Sequence, residues 1–233
     1  MQQTPAPWTA VVPLRAGSKG LPGKNTRPLA GKALYRHAVD LALAAGASRV
    51  IISTNIHEVL AAELPAGVQA LPRPPELCGD DVPMAPVLAH ALRTAQVQGV
   101  VVLLQATSPL RQVSDVQAAL QRLATGDFEL VMSVTEADRG VLKWGRLLAD
   151  GRFAPLSSLE HCFSNRHSLP PVYKPNGAVY AMNAQWFGQQ NSFVTERIGT
   201  VVMPPERSQD IDNLSDFEHC EALLNSLTLG TRI

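Results

Sequence analysis

Short apolar runs alternate with Ala/Leu-rich stretches of helical spacing along most of this 233-residue chain, and that alternation restricts the fold more than any single motif. Trp8 to Pro13, Arg49 to Ser53, Val68 to Leu71, Val100 to Gln105 and Leu130 to Val134 are rich in Val, Ile and Leu and bounded by polar, Gly or Pro residues. Such runs read as strands buried on both faces. Between them, Leu34 to Ala45, His57 to Glu63, Pro86 to Gln96 and Val113 to Ala124 predict helices. Strand and helix in turn imply an α/β protein with a mostly parallel sheet covered on both sides. Ligands of such sheets sit beyond the carboxyl ends of the strands, so the loops there are where chemistry is expected.

After Val134 the pattern breaks. Glu136 to Lys174 has weak apolar spacing, two candidate strands near Leu142 to Leu148 and Phe153 to Leu156, and the polar segment HCFSNRHSLPPVYK. An irregular insertion this long inside a compact domain serves a function or an interface. The alternation resumes with Gly177 to Met182 and Gly199 to Met203, and Asn213 to Leu227 predicts a closing helix.

Twenty basic and twenty acidic residues cancel, so there is no global positive field of the kind nucleic-acid or anionic-membrane binders carry, and neither partner is expected. Any anion site must be local. Cys78, Cys162 and Cys220 form no CxxC pair and no His/Cys cluster, which argues against structural zinc or a disulfide framework and fits a reducing cytoplasm. No run approaches the about 18 apolar residues of a spanning helix, and MQQTPAPWTA does not read as a signal peptide. A soluble, cytoplasmic protein is expected.

The local anion site is predicted in VVPLRAGSKGLPGKN, Val11 to Asn25, where a strand runs into a loop with three glycines, one arginine and two lysines. Gly17, Gly20 and Gly23 would let backbone N–H groups approach polyphosphate, with Arg15, Lys19 and Lys24 supplying charge. The spacing is neither a Walker loop nor a dinucleotide fingerprint, and a basic Gly/Pro loop can also be a plain solvated turn. Asp210 and Asp212 flank Ile211 in an extended segment, so both carboxylates would face one side with Ile211 inward. Two hard oxygen ligands suit Mg²⁺; the same pair also suits the positive end of the following helix. Gln105 to Arg111, QATSPLR, ends a buried strand with hydrogen-bonding groups, and Ser114 is the expected N-cap of the next helix. In Lys174 to Tyr180, KPNGAVY, the Asn-Gly pair marks a tight turn feeding a strand.

Taken in order, RAGSKGLPGKN, RPPELCGDD from Arg73 to Asp81, LLQATSPLR, KPNGAVY and SQDIDN resemble the CMP-N-acylneuraminate cytidylyltransferases, over nearly the whole chain. Relatives that activate 3-deoxy-octulosonate spell the loop more like SxRLPGKP, unlike Ser18-Lys19-Gly20 and Lys24-Asn25 here. The resemblance implies a three-layer, Rossmann-like nucleotidyltransferase fold, residues 1–135 and 175–233, with a dimerisation arm at 136–174. It implies transfer of a cytidylyl group from CTP to a sialic-type nonulosonic acid, with release of pyrophosphate. Phosphoryl-type transfer needs positioning and charge neutralisation more than a covalent nucleophile. Arg15, Gly17, Ser18, Lys19 and Lys24 would hold the triphosphate, with Mg²⁺ or another divalent cation such as Mn²⁺ on Asp210 and Asp212. Asn25 and Arg73 would meet ribose and base, and Gln105 the sugar acid. Lys143 and Arg166 match basic positions that reach the neighbouring subunit's sugar site in a homodimer whose active sites are shared. Phe193 is a candidate apolar wall for an N-acyl methyl, or a core residue. Met84 stands where a cytosine-reading serine is frequent, which would leave base recognition there to backbone groups. The same chemistry on legionaminate, pseudaminate, Kdn or 3-deoxy-octulosonate is the alternative, and a non-catalytic nucleotide-binding homologue a further one.

Overall fold

The structure is a computed structural model that describes residues 7–17 and 19–230, with side chains given up to residue 226. The strands are β1 (Trp8–Pro13), β2 (Pro28–Leu29), β3 (Lys32–Ala33), β4 (Arg49–Thr54), β5 (Val68–Pro72), β6 (Val100–Leu103), β7 (Leu130–Ala137), β8 (Gly145–Leu147), β9 (Phe153–Pro155), β10 (Val172–Asn183) and β11 (Ile198–Val202). The helices are α1 (Leu34–Ala44), α2 (His57–Leu60), α3 (Met84–Thr94), α4 (Val113–Leu123), α5 (Leu159–Phe163), α6 (Ala184–Gln190) and α7 (Leu214–Gly230).

Seven strands form one sheet in the order β11-β7-β10-β6-β1-β4-β5. All pairings are parallel except those of β10, which runs antiparallel between β6 and β7. Successive residues of each central strand serve opposite faces, as the period of two requires. Ala10, Val12, Val50, Ile52, Val102 and Leu104 pack under α1 and α4, whereas Val11, Ile51, Val101 and Leu103 pack under α3 and α6. The predicted three-layer α/β architecture with a mostly parallel sheet is the observed one. Helix α1 places Tyr35, Ala38, Val39 and Ala42 on the sheet, a stripe at helical spacing.

A third, smaller cluster bears directly on the site. Leu21 from the glycine loop, Leu29, Leu34, Leu110, Ile211, Phe217 and Cys220 bury one another. Leu21 and Ile211 thus fasten the loop after β1 to the acidic segment before α7.

Several local expectations differ from the structure. KPNG is not a turn: β10 runs straight through it, with a register shift between Pro175 and Tyr180. Asn176 makes this bulge possible, because its buried amide replaces ladder partners that the shift removes. Its Oδ1 accepts from Ser133 Oγ (2.6 Å) and from the Ala178 N–H (3.2 Å), and its Nδ2 donates to Ser208 Oγ (2.9 Å). Gln112 rather than Ser114 caps α4, its N–H donating to the Asp115 carboxylate at 2.7 Å. Between β7 and β10 lie the β8–β9 hairpin and α5, while Glu136, Ala137 and Val172–Lys174, assigned to the arm by sequence, pair within the main sheet.

Candidate active site

The ends of β1, β4, β5 and β6 open on one edge of the sheet, and the start of β10 returns to that edge. Three segments meet there. The Ile211 N–H donates to the carbonyl of Thr107 at 2.8 Å, which ties the acidic pair to the loop after β6. Lys24 Nζ donates to the Ile211 carbonyl at 2.5 Å and lies 3.4 Å from Asp212 Oδ1. The glycine loop therefore reaches the acidic pair through a lysine, with Leu21 and Ile211 buried beneath it.

The three glycines differ in backbone and surroundings. Of Gly17, Gly20 and Gly23, only Gly23 has a left-handed backbone, with φ +68°. Gly20 is needed for close approach instead, because a Cβ there would collide with the carbonyl of Asp212. Gly17 has open space around it, the nearest atom to an added Cβ being Arg15 Nη1 at 3.8 Å. Asn25 is buried and braces the loop, donating from Nδ2 to the Arg15 carbonyl at 3.0 Å; Asn55, not singled out by sequence, accepts the Ala16 N–H at 2.8 Å. Ser18 lies outside the described residues.

The acidic pair faces as its spacing predicts: Ile211 is fully buried, Asp210 half-buried and Asp212 exposed. Burial lifts the Asp210 carboxyl above the usual range, and Asp212 and Asp216 push the same way, against the Thr107 hydroxyl and Lys24. Asp210 Oδ1 is buried without a hydrogen-bond partner. A buried, unpartnered carboxylate oxygen next to a solvent-facing carboxylate fits a hard divalent cation, which takes one or two carboxylates and fills its shell with water and phosphate oxygens. Among the described residues no group of three or more acidic, His or Cys side chains is placed to hold a metal ion, so protein donors alone would leave such an ion open to substrate. Asp216 is engaged otherwise, accepting from the N–H groups of Asp212 and Asn213 at 3.0 Å each as a cap of α7.

A polar cavity of about 580 Å³ opens beside the pair, walled by Gln105, Lys174, Tyr180, Gln209, Asp210 and Asp212. Its size is that of an ordinary small-molecule site. Gly177, at φ +75°, lies beside Gln105, whose amide would be 3.6 Å from a Cβ added there. Beneath this wall sits Arg111, buried and donating to the carbonyls of Gln105 and Ala178. Burial depresses its pKa to about 9, against the pull of Asp210 and Asp115, so it is charged at neutral pH. Arg111 belongs to the quoted QATSPLR segment, but its role as a brace between Gln105 and β10 depends on contacts that spacing does not reveal.

Other predicted site residues sit elsewhere. Arg73 is buried and spends two donors on Ser53, Nη2 to the carbonyl at 2.7 Å and Nε to Oγ at 3.3 Å. Burial lowers its pKa, with nearby Arg15 adding to the effect. Phe193 is not among the residues that line the cavity; half-buried, it packs against the core with its ring tilted against Phe187 and Tyr180, centroids 5.0 and 5.9 Å apart. Met84 opens α3 and packs against the core. Lys143 and Arg166 lie between β7 and β10, away from their own chain's cavity, and Arg166 pairs with Asp138 at 3.2 Å. Asp80 is the residue sequence reasoning missed: Arg15 and Lys19 both pair with its carboxylate. It lies inside the quoted segment RPPELCGDD.

Comparison with known proteins places this arrangement. A family model described as cytidylyltransferase matches residues 9–226. The N-acylneuraminate cytidylyltransferase of Streptococcus agalactiae serotype V is 31% identical over 212 residues, covering 90% of this chain and 51% of that protein. The chain spans about half the length of the first curated relatives it matches. The CMP-N,N'-diacetyllegionaminic acid synthase of Legionella pneumophila is 32% identical over 230 residues, covering 92% of this chain and 95% of that one. Among solved structures, a CMP:2-keto-3-deoxy-manno-octonic acid synthetase complexed with CTP shares the fold, with TM-score 0.70 and 19% identity over 95% of this chain and all of that one. No helix among the described residues is long and apolar enough to cross a membrane.

Proposed function

We propose, from the premise that this chain belongs to the cytidylyltransferase family, that it transfers the cytidylyl group of CTP to a nonulosonic acid. The anomeric hydroxyl of the acid would attack the α-phosphorus, the bond from that phosphorus to the bridging oxygen would break, and pyrophosphate would leave. The observation that carries this reading is the junction at Lys24, where a basic glycine loop meets the Asp210/Asp212 pair, one half-buried and one exposed, beside a polar cavity.

Each residue has a task that its surroundings suit. Arg15, Lys19 and Lys24 would neutralise the triphosphate, in a loop whose shape Asn25, Asn55 and Gly20 fix. Asp210 and Asp212 would hold a Mg²⁺ or Mn²⁺ ion, which when bound supplies charge neutralisation at the phosphate oxygens. Gln105, held from behind by Arg111, would orient the sugar acid toward the nucleotide. Arg73 would act on the nucleotide mainly by fixing the end of β4 through Ser53.

For the sugar acid, among relatives matched along nearly their whole length the diacetyllegionaminate enzyme, 32% identical, exceeds the pseudaminate one, 24% identical, which favours a diacylated nonulosonate of the legionaminate class over sialic acid, the first expectation from sequence. A homodimer completes the reading. The segment between β7 and β10 exposes Trp144, Leu147, Phe153 and Phe163, an apolar surface that a second copy would cover. Lys143 and Arg166 would then approach the partner's cavity and the sugar carboxylate.

The test is incubation with CTP, Mg²⁺ and each of a panel of neuraminate, diacetyllegionaminate, pseudaminate, Kdn and 3-deoxy-octulosonate, with CMP-sugar and pyrophosphate identified by mass. Formation of both products with a nine-carbon acid is expected. Absence of both across the panel would overturn the proposed activity, and faster turnover of neuraminate than of diacetyllegionaminate would overturn the sugar.

A further inference from the structure

We propose that Asp80 is a built-in occupant of the triphosphate cradle, which nucleotide must displace in order to bind. The inference rests on the reading of the glycine loop as that cradle. Arg15 Nη1 pairs with Asp80 Oδ1, and Lys19 Nζ lies 3.0 Å from Oδ2, so one carboxylate joins the two cations, an oxygen to each. This is the geometry in which two phosphate oxygens would meet them. The third cation, Lys24, is drawn to the Ile211 carbonyl and Asp212, so the loop's charges each have an acceptor supplied by the protein.

Asp80 comes from a different part of the chain, 65 residues from Arg15. It follows the short turn Pro75–Leu77, which itself follows Arg73, and precedes α3. Its carboxyl is held below the usual carboxylate range by Lys19 and Arg15, so the ion pair is in place at neutral pH. A triphosphate entering the cradle brings several negative charges to the cations that Asp80 holds, and a fixed carboxylate within a few ångströms opposes it. Nucleotide binding therefore moves the segment after Arg73, and departure of pyrophosphate restores the Asp80 contacts. In this way the residue weakens product retention as well as substrate binding.

The decisive measurement is calorimetric titration of the full chain with inorganic tripolyphosphate, pyrophosphate and CTP, in EDTA so that a metal ion plays no part. Asp80→Asn, nearly isosteric and uncharged, is expected to bind all three about five- to fiftyfold more tightly, as removal of one unit charge at a partly solvated site predicts. Asp80→Glu keeps the charge and is expected to stay within about threefold of the parent. Unchanged or weaker binding by a folded Asp80→Asn overturns the proposal, since it makes Asp80 a brace for the loop and not its occupant. If Asp80→Asn does not fold, Asp80→Ser takes its place: tighter binding than by the parent sustains the proposal, and unchanged or weaker binding overturns it. If the parent protein shows no saturable binding of tripolyphosphate or CTP, the cradle reading fails, and Asp80 with it. Binding by the parent without the gain in Asp80→Asn leaves the cradle reading intact and removes only the role of Asp80.

Discussion

Replacing Gly20 with alanine tests whether the nucleotide loop works by lying directly on the acidic segment. The added Cβ would collide with the carbonyl oxygen of Asp212 and lie 3.2 Å from its carbonyl carbon. Non-bonded heavy atoms prefer about 3.5–4.0 Å, and the collision is with backbone, which cannot rotate away. The two segments would have to separate by roughly 1 Å, against the burial of Leu21 with Ile211 that holds them together. Overpacking of this kind costs about 1–3 kcal/mol, which for a chain of this size is a fall in Tm of about 2–12 °C. A displacement of about 1 Å between triphosphate cations and metal-holding carboxylates costs about 10²-fold in rate. The assay is steady-state pyrophosphate release with the preferred sugar acid, paired with thermal unfolding. Gly188→Ala, in α6 with nothing within 4 Å of the added Cβ, is the control, and its kcat/KM should remain within about threefold. Gly20→Ala with parental kcat/KM and Tm would refute the claim that loop and acidic segment are in obligatory contact.

Asp210→Asn is expected to lower pyrophosphate release by at least about a hundredfold. It should also raise the Tm of the metal-free protein at neutral pH. Because burial raises the Asp210 pKa in the folded state, the unfolded chain ionises first as pH rises, so stability falls across the window between the two values. The gain in the variant should therefore vanish below about pH 4, where the carboxyl is protonated in both states, and thermal scans with EDTA from pH 3 to 8 check it. Arg111→Lys keeps a charge but cannot span the carbonyls of Gln105 and Ala178 with a planar fork, so a loss of about 1–3 kcal/mol is expected in denaturant unfolding. Phe163→Glu places a charge at a side chain that is 84% exposed in one copy; sedimentation should show a folded monomer with activity reduced at least about tenfold if a second copy covers that face.

Much of this protein is legible in the chain itself because its signals are local. Periodicity of two places Val11 and Ile51 on one face and Val12 and Ile52 on the other, and helical spacing places the apolar stripe of α1. The clustering of Gly, Arg and Lys after β1 marks an anion loop, and Asp-Ile-Asp marks two carboxylates facing one way with the apolar residue between them buried. These depend only on neighbouring residues and on the geometry of strand and helix.

Tertiary structure decided what depends on distant partners. Asn-Gly, a turn by local chemistry, lies inside β10 because Ser133 and Ser208 supply hydrogen bonds that the shifted ladder lacks. Phe193, open by sequence to either a sugar wall or the core, packs its ring at a tilt against Phe187 and Tyr180. Gly20 owes its identity to Asp212, Arg111 to the carbonyls of Gln105 and Ala178, and the state of Arg15 and Lys19 to Asp80. A residue's own neighbours in sequence limit its backbone and its face. Which charge, carbonyl or ring it then meets is fixed only when the sheet order brings the ends of β1, β5 and β6 and the segment after β11 to one edge.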